Sequence, residues 1–579
     1  MKTTLKVRLI ALSAAVVVAL GACTTIPSSG PVSEGNGVVA TNDPFVPIAE
    51  GPRQDAVPLA IVSGFVTASG AGFAGDFTTA RKFLTDTAAA SWDPTERVVV
   101  YDSGALTPVF DEETNTVTYD VPVLAVVDES GRLTEAADGT RETLTFTMVQ
   151  GDDGQWRISE LEDGTLLARA GFERLFKPVN LIFASIDEST QVPESRWLPN
   201  NKVATLAARE LVEGPSPLLA PAVHTGFPAT SALYVDSVVV TDGVAAVQLT
   251  TESAGTTAER ALAEEQMRLT LESIPGIADV VVTAGGVTLS DETDVRLEPA
   301  PLPSTDAAAF VNGTLGVFDG ADVWRVADSV GGLPAESTGL AMTFGSPIAA
   351  WIVGKTDLVI SRALSNTVAP RVLVEEDDEP PTSVMETVIL HQGADLVAPT
   401  ADRHAWIWTT EASGGDGFTA VTAGGESVAL AVDWLRGTTV QAIAVSRDGA
   451  RMAVLSRNSG KQSLEVASIV RGDDGTPLTV GEPQHVGADI GPSIDLAWVD
   501  DLSVAVLGEE GGDVPSNLWI ADIGGLTSAQ KAVTHAVDIA ARDLERSLLV
   551  VDVDGAVSAR SGTEWAKVAQ GPIELAYSG

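Results

Sequence analysis

The second half of the chain repeats one pattern, in which a short strand is followed by a polar turn and another strand, often with a tryptophan. The pattern recurs in AAFVNGTLGVFDGADVWRV (308–326), IAAWIVGKTDLVISR (348–362), DRHAWIWTTE (402–411), AIAVSRDGARMAVLSR (442–457), IDLAWVDDLSVAVLGE (494–509), SNLWIADI (516–523) and DLERSLLVVDVDGAVSARSG (543–562). Periodic strand pairs are typical of a β-propeller. At about 40–45 residues per blade, residues 305–579 predict an all-β propeller of about six blades.

The first α+β domain is predicted over residues 51–175. Apolar residues from Val57 to Ala68 follow helical spacing, and a second helix is expected after Asp76. Strands with alternating apolar and polar residues follow, with a turn at Gly151–Gly154. Helices followed by an antiparallel sheet indicate an α+β fold.

A second α+β domain is predicted over residues 190–295. The expected elements are a helix from Val203 to Leu211, strands Leu233–Val240 and Val244–Leu249, a helix over 257–273 and a strand Ala278–Thr283. Gly214 is placed to end the first helix, because glycine adopts the left-handed conformation common just after a helix. Pro299, Pro301 and Pro303 mark a linker to the C-terminal domain.

The N-terminus has the pattern of a bacterial export signal. Lys2, Lys6 and Arg8 precede an apolar run that is too short to span a membrane comfortably. The run ends in Leu20-Gly21-Ala22-Cys23, which resembles a lipobox and contains the sole cysteine of the chain. We therefore expect residues 1–22 to be a signal peptide, cut by signal peptidase II between Ala22 and Cys23. Cys23 would carry S-diacylglycerol and N-acyl groups and begin a flexible tether over 23–50.

The charge of the chain excludes one class of partner. The formal net charge is −44, with 79 acidic and 35 basic residues. Nucleic-acid binding needs clustered lysine and arginine to neutralise phosphates, so nucleic acid is not an expected partner. Electrostatic adhesion to an anionic lipid surface is also disfavoured. The predicted contact with the membrane is the lipid on Cys23, and a protein with a basic patch would be attracted.

Sequence motifs predict no catalytic, cofactor or metal site. The five histidines, His224, His391, His404, His485 and His535, have no metal-ligand spacing, and no HExxH motif, P-loop or GxSxG motif occurs. The acidic run Glu375–Glu379 could recruit calcium, although a solvated loop is the simpler interpretation. Asp552-Val553-Asp554-Gly555 resembles half of a calcium loop but is more simply a turn.

Eight tryptophans in the C-terminal half leave two interpretations open. They could line a sugar-binding surface or pack between blades, and their recurrence within strands favours packing. They are Trp324, Trp351, Trp406, Trp408, Trp434, Trp498, Trp519 and Trp565.

Three resemblances add to this interpretation. The segments ARKFLT (80–85) and SWDP (91–94) resemble an NTF2-like domain. The segments ATLAARELVEGP (204–215), DGVAAVQLT (242–250) and LTLESIPGIADVVVTAGG (269–286) resemble the GerMN domain. Together with a lipobox followed by TTIPSSGPV (24–32) and a propeller, this order is similar to the LpqB family of actinobacterial lipoproteins.

The LpqB resemblance implies a function. Such a protein would be anchored at the extracytoplasmic face of the cell membrane and would modulate the MtrB sensor histidine kinase without catalysing a reaction. This Mtr two-component signalling governs cell-wall and division homeostasis. The alternative is a binding module for a cell-wall glycan or small ligand, in the N-terminal cleft or the propeller funnel. A third hypothesis, a propeller hydrolase, would need a convergent acidic cluster in the funnel.

Overall fold

The N-terminal domain consists of four helices and a mostly antiparallel sheet. The computed structural model describes residues 49–102, 106–251, 255–289, 295–326, 331–345, 348–362, 371–374, 381–488, 490–509 and 516–579. The elements of this domain are α1 (Pro58–Gly72), α2 (Thr78–Arg81), α3 (Asp86–Ser91), β1 (Arg97–Tyr101), β2 (Val109–Asp111), β3 (Thr116–Asp128), β4 (Leu133–Glu135), β5 (Arg141–Gln150), β6 (Trp156–Glu160), β7 (Thr165–Ala168) and α4 (Arg169–Leu175). The main sheet has the order β6-β5-β3-β1-β7, and β1 pairs in parallel with β7.

The helical spacing of apolar residues in α1 explains how the hydrophobic core of the N-terminal domain forms. Ile61, Phe65 and Ala68 lie on one helix face and are buried against Val117 and Phe146 of the sheet. Helices followed by an antiparallel sheet agree with the α+β prediction for this domain.

The middle domain begins with a long β-hairpin that the sequence patterns did not reveal. Its elements are β8 (Phe176–Ser185), β9 (Gln191–Pro199), α5 (Val203–Glu213), β10 (Val223–His224), β11 (Val239–Thr241), β12 (Val244–Leu249), α6 (Thr257–Glu272), β13 (Asp279–Ala284) and β14 (Val287–Thr288). The β8–β9 hairpin packs against α5 and α6, so residues 176–189 belong to the same hydrophobic core as the predicted domain. Gly214 ends α5 with φ 104° and ψ −176°, a positive φ that glycine adopts without strain but not the left-handed helical conformation.

One predicted strand of the middle domain is much shorter than expected. Strand β11 covers only Val239–Thr241 instead of Leu233–Val240, and Leu233 forms an isolated bridge to Leu249. Just before β11, the backbone N–H of Val238 donates to Thr205 Oγ1 of α5 at 2.9 Å rather than to a strand. The backbone N–H of Val238, which the apolar pattern predicted to bond within a sheet, is therefore satisfied by a tertiary hydrogen bond to a helix side chain.

The described part of the C-terminal domain contains six antiparallel sheets of four or five strands. The first sheet contains Ala307–Val311, Thr314–Phe318, Val323–Val326, Arg371–Leu373 and Pro572–Ala576, and the second contains Ser337–Met342, Ala349–Val353, Asp357–Ser361 and Val388–Gln392. The third contains Thr400–Ala401, Trp406–Thr410, Gly417–Thr422 and Ser427–Ala431, and the fourth contains Thr439–Val445, Arg451–Asn458, Lys461–Arg471, Pro477–Val480 and Gln484–Val486. The fifth contains Ser493–Trp498, Ser503–Gly508, Ser516–Asp522 and Ser528–Val533, and the sixth contains Ala536–Ala540, Leu549–Asp552, Ala556–Ser561 and Glu564–Gln570. The prediction of a strand-rich C-terminal region is confirmed.

The two ends of this domain meet in one sheet. The last strand, Pro572–Ala576, pairs antiparallel with the first strand, Ala307–Val311. One strand from each sheet contacts the corresponding strand of the next sheet, and these six strands together form a ring. These inner strands are Ser337–Met342, Thr400–Ala401, Thr439–Val445, Ser493–Trp498, Ala536–Ala540 and Pro572–Ala576, and the last contacts the first. The inner strands therefore enclose a central channel.

Some predictions fall on residues that are not described. The signal peptide over 1–22, the lipidated Cys23, all but the end of the tether over 23–50 and the acidic run Glu375–Glu379 lie outside the described residues. Within the described ranges, no helix has both the length and the apolar character required to cross a membrane.

Candidate functional site

The predicted histidines do not come together. His224 lies 3.2 Å from Glu188, and His485 contacts Ser463 and Glu465 in a different domain. His404 lies where the middle and C-terminal domains meet, and burial together with the charges of Arg471 and Arg403 lowers its pKa to about 4. No group of three or more histidine, cysteine, aspartate or glutamate residues suited to a metal ion occurs in the described part of the chain.

The tryptophans serve mainly as packing residues. Trp351, Trp406, Trp408 and Trp498 are buried. Trp434 donates from its indole N–H to Gly481 O at 3.1 Å, and Trp498 donates to Ala444 O at 3.0 Å. Each of these bonds joins one sheet to its neighbour. Packing between sheets, rather than a sugar-binding surface, accounts for these positions.

The channel is the first candidate site. It has a volume of about 400 Å³ and is lined by the inner strands of the ring. Three carboxyl side chains line it, those of Asp495, Asp538 and Glu574. Each follows one extra residue at a register shift of its strand, namely Ile494, Val537 or Ile573. A bulge of this kind changes the direction of the next side chain, which places the carboxyl beside the neighbouring strand.

The three carboxyls link successive inner strands. Asp495 accepts hydrogen bonds from the backbone N–H of its neighbour Leu496 at 2.8 Å and of Ile539 at 3.1 Å. Asp538 accepts from the backbone N–H of Leu575 at 2.9 Å, and Glu574 accepts from that of Leu340 at 3.0 Å. Ile539, Leu575 and Leu340 each lie on the next inner strand of the ring. The carboxyls therefore hold the ring together on one side.

These carboxyls resist ionisation. Burial raises the pKa of Asp495 and that of Glu574 to about 7, despite the hydrogen bonds from backbone N–H groups. Burial also raises the pKa of Asp538 well above its ordinary value, and the negative charges of Asp495 and Glu574 add to this effect. Within the described ranges, no arginine or lysine forms an ion pair with any of the three. The pKa values of Asp495 and Glu574 therefore place their change of charge near neutral pH.

The second candidate site is the joint, which we define as the contact between the middle domain around Asp187–Arg196 and the C-terminal domain around Asp402–Arg403 and Asp448–Arg451. Arg403 donates from Nη2 to both carboxylate oxygens of Asp187, at 2.7 and 2.8 Å, and from Nη1 to Thr190 Oγ1 at 2.8 Å. Burial opposes ionisation of Asp187, but hydrogen bonds from Ser185 and the charge of Arg403 lower its pKa to about 2. This pair is charged throughout the physiological range.

Two buried aspartates support the joint from the C-terminal side. Asp402 accepts from Trp408 Nε1 at 2.8 Å and from Arg471 Nη2 at 2.6 Å, and both partners are buried. Asp448 accepts from Arg451 Nη1 at 2.6 Å, while Arg451 Nη2 donates to the carbonyl of Pro193 in the middle domain. Charged, fully hydrogen-bonded pairs at a domain contact fix its geometry.

The N-terminal half also contacts the C-terminal domain directly. Glu135 accepts hydrogen bonds from the backbone N–H of Thr527 at 2.9 Å and from that of Ala488 at 3.1 Å. Trp197 donates from Nε1 to Gly524 O at 2.9 Å. All three domains are therefore connected by specific polar contacts.

Sequence reasoning missed both sites, although a signal for each was present. Three of the six inner strands share a short pattern seen in SIDLA (493–497), AVDIA (536–540) and PIELA (572–576), with the acid always in the third position. Asp402 and Asp448 occupy corresponding turns between the first and second strands of adjacent sheets. In contrast, Asp552–Gly555 forms a turn in which Asp552 accepts from its own backbone neighbours, as the simpler interpretation expected.

The fold and these sites define a multidomain protein in which two α+β domains are joined by hydrogen bonds and an ion pair to a strand-rich domain with a central channel. Residues 51–173 match the family model for the N-terminal domain of lipoprotein LpqB, and residues 347–574 match that for the LpqB beta-propeller domain. Residues 180–290 match the Germane model, described as sporulation and spore germination. The chain belongs to the LpqB lipoprotein family.

Relatives with similar sequences span the full length of the chain. Lipoprotein LpqB of Streptomyces coelicolor is 28% identical over 610 residues, covering 97% of both chains. Lipoprotein LpqB of Cutibacterium acnes is 25% identical and covers 98% of both chains. Among solved structures, TolB from Acinetobacter baumannii aligns with 47% of this chain and 66% of that chain at 13% identity, with a TM-score of only 0.32. The matching models are named for lipoprotein and sporulation domains, and none for a reaction.

Proposed function

We propose that this protein is a lipid-anchored, extracytoplasmic accessory protein that modulates an MtrB-like sensor histidine kinase without catalysing a reaction. The observation that carries the proposal is membership of the LpqB lipoprotein family along the full chain. The joint supports it, because Arg403 and Arg451 connect the domains through several hydrogen bonds. A rigid array of binding surfaces suits a protein that acts by contact with a partner.

The structural part of the proposal is finer than the family assignment. We interpret the six sheets as six propeller blades, because their inner strands form a ring and the last strand completes the first sheet. We interpret the N-terminal domain as NTF2-like, because its helices precede and cover a mostly antiparallel sheet. Both interpretations predict that an experimental structure of the full chain has these features.

The anchor is tested by changing Cys23 to alanine. The variant should accumulate as an unlipidated precursor and lose firm retention in the membrane fraction, measured by mass spectrometry and fractionation. Ser28→Ala, in the tether rather than the lipobox, is the matched control and should leave lipidation unchanged. Acylation of the Cys23→Ala variant would contradict the lipid-anchor proposal.

The partner is tested by crosslinking the full-length protein in intact membranes. A sensor kinase should be recovered at its extracytoplasmic domain, and kinase output should change when the lipoprotein gene is deleted. Restoring the wild-type gene should restore output, whereas the Cys23→Ala variant should not. Recovery of no kinase together with normal output after deletion would reject the proposal.

The alternative function is binding of a cell-wall glycan or small ligand in the channel. It is favoured by one observation, the group of three protonatable carboxyls that line a space of about 400 Å³. Isothermal titration of the full chain with muropeptides separates the two functions. Binding that is lost in Glu574→Gln would support the channel, and absence of binding would leave the accessory function as the sole proposal.

A further inference from the structure

A cavity of about 510 Å³ lies between the N-terminal domain and the middle domain. We call it the interdomain pocket. It is lined by residues within 72–77 and 127–131 of the N-terminal domain and by residues within 197–202 and one face of α5 in the middle domain. Its volume is in the range of sites that bind small organic molecules. It is separate from the channel, which is lined by the inner strands of the C-terminal domain.

Helix α5 turns one face toward this pocket. Four of its residues line the pocket, at positions i, i+3, i+4 and i+7, and they are Leu206, Arg209, Glu210 and Glu213. This spacing places side chains on the same side of a helix. The helix therefore brings one apolar side chain, one guanidinium and two carboxyl groups to the same wall.

Glu210 is the lining residue that most restricts the chemistry of a ligand. Its side chain is only 5% exposed. Oε1 accepts two hydrogen bonds from Arg209, from Nε at 3.2 Å and from Nη2 at 3.1 Å. Oε2 accepts none from the described residues, and it is not among the polar atoms that the protein encloses completely. The pocket thus contains a carboxylate oxygen of a buried side chain that is available to a donor.

Much of the remaining wall is aromatic. The rings of Phe77 and Phe73 lie 5.1 Å apart and those of Phe73 and Phe176 lie 4.8 Å apart, both in edge-to-face contact. Phe77 and Trp197 are only half-buried, so part of each side chain remains accessible. The faces of aromatic rings carry partial negative charge and attract cations, and their area also attracts apolar groups.

The charges of the wall favour a positive ligand over a negative one. Four acidic side chains line the pocket against two basic ones, namely Asp128, Glu129, Glu210 and Glu213 against Lys202 and Arg209. Arg209 is already shared, because it bonds to Glu210 and lies 3.9 Å from Glu213. An ammonium group would offset the excess of negative charge, whereas a carboxylate or phosphate would add to it.

We propose that the interdomain pocket binds a small organic amine, whose ammonium group donates a hydrogen bond to Glu210 Oε2 while its apolar or aromatic body contacts Phe77 and Trp197. Such a ligand would contact both α+β domains and would favour their present arrangement. The proposal rests on the pocket alone and does not depend on the kinase partner.

The test uses four probes that separate the charge of the ligand from its apolar body. Detergent-solubilised full-length protein is titrated calorimetrically with benzylamine, benzyl alcohol, benzoate and methylamine. Benzylamine should bind at least about tenfold more tightly than benzyl alcohol, which lacks the charge, and than methylamine, which lacks the aromatic body. Benzoate should bind most weakly, because its carboxylate meets the acidic side chains.

The decisive variant is Glu210→Gln, which keeps the shape of the side chain and an acceptor but removes the charge. It should weaken binding of benzylamine at least about tenfold and leave binding of benzyl alcohol nearly unchanged. Glu264→Gln is the matched control, because Glu264 is a half-buried glutamate on α6 whose pKa is also raised by burial, and it does not line the pocket. Glu213→Gln changes a side chain that is 60% exposed, so it leaves the core intact and should weaken benzylamine about two- to threefold.

The pH dependence of binding provides a signature that a purely structural role of Glu210 would not give. Burial and the charge of Glu213 raise the pKa of Glu210, whereas Arg209 and Arg196 oppose this shift. Since an ammonium group binds the ionised carboxylate, the affinity for benzylamine should fall as the pH is lowered from about 7 to about 5. The Glu210→Gln variant should lose this dependence.

Three results would overturn the proposal. Benzylamine could bind no more tightly than benzoate, it could bind wild type and Glu210→Gln with equal affinity, or no probe could bind at millimolar concentration. Loss of kinase contact would have no bearing on any of these results, so failure of this proposal and of the proposed function can be distinguished.

Discussion

The channel and the joint both contain buried or partly buried carboxyl groups, but the groups that hydrogen-bond to these carboxyls differ between the two sites. In the joint, Asp187, Asp402 and Asp448 are each paired with an arginine at 2.6–2.7 Å. In the channel, Asp495 and Glu574 accept hydrogen bonds from backbone N–H groups, and no arginine pairs with them in the described ranges. The pKa of Asp187 is about 2, whereas those of Asp495 and Glu574 are about 7.

The difference shows what a nearby cation does in a buried site. Backbone N–H groups supply hydrogen bonds but too little positive charge to offset the loss of water, so burial raises the pKa of the channel carboxyls. In the joint, the guanidinium of Arg403 supplies both to Asp187, and the pKa of this carboxyl is lowered to about 2. The ion pair of Asp187 and Arg403 is consequently charged at neutral pH, whereas the charges of Asp495 and Glu574 in the channel change near pH 7.

The largest expected effect comes from breaking a buried pair in the joint. Asp402→Ala should lower the free energy of unfolding by about 3–5 kcal/mol, because it leaves Arg471 as a buried charge without its carboxylate. Trp408 would also lose the acceptor of its indole N–H. Urea unfolding followed by tryptophan fluorescence provides the measurement. A loss below about 1 kcal/mol would show that the joint does not depend on this pair.

In the channel, neutralising a carboxyl should raise the free energy of unfolding at alkaline pH, whereas removing Asp402 from the joint lowers it. The folded-state pKa of Glu574 is raised to about 7, so its contribution to stability is complete below pH 4 and is lost as the pH rises through about 7. Glu574→Gln keeps an acceptor for Leu340 and removes the titration. It should be more stable than wild type at pH 8 by about 1–3 kcal/mol.

The internal control for that variant is its behaviour in acid. At pH 4 the wild-type side chain is already protonated, so the two proteins should unfold at nearly the same urea concentration. Equal stability of both proteins at pH 4 and at pH 8 would mean that Glu574 does not titrate near neutrality.

A smaller effect with the reverse pH dependence is expected at Asp187. Its folded-state pKa is lowered to about 2, so its contribution is present above pH 4 and is lost as the pH falls from about 4 to about 2. Asp187→Asn should cost about 1 kcal/mol at pH 7, since the side chain is partly exposed to solvent, and almost nothing at pH 2. Urea titrations at the two pH values would test this, and a cost that persists at pH 2 would argue for a role other than charge.

The smallest effect on the free energy of unfolding is expected at an exposed ion pair in the C-terminal domain, the domain that also contains Asp402. Asp433 lies 3.1 Å from Arg436, and both side chains are mostly exposed. Asp433→Ala should change the unfolding free energy by less than about 0.5 kcal/mol, because solvent screens surface ion pairs. Together with Asp402→Ala it tests whether burial, rather than the ion pair itself, sets the cost.

Local patterns in the sequence were sufficient for much of the fold. Apolar residues at helical spacing predicted the helices Pro58–Gly72, Val203–Glu213 and Thr257–Glu272, and repeated strand pairs predicted the strand-rich C-terminal domain. Residues 176–189 were missed because both strands of their hairpin are stabilised by packing on distant helices. The strand expected at Leu233–Val240 is shorter in the structure because the backbone N–H of Val238 donates a hydrogen bond to the side chain of Thr205, on a helix, instead of to a neighbouring strand.

The candidate sites needed the assembled structure. The acids in SIDLA, AVDIA and PIELA are visible in the sequence, but their meeting in one channel depends on closure of the ring by the last strand. Arg403 and Asp187 are 216 positions apart in the chain, and no periodicity connects them.

By itself, then, the sequence predicted lipid attachment at Cys23 and determined the acidic character, the helices and the repeating strands, because each depends on residues close together in the chain. The tertiary structure decided which carboxyls meet an arginine and which are buried without one. That choice depends on burial and long-range contacts, and it keeps Asp187 ionised in the joint while it raises the pKa of Asp495 and Glu574 in the channel to about 7.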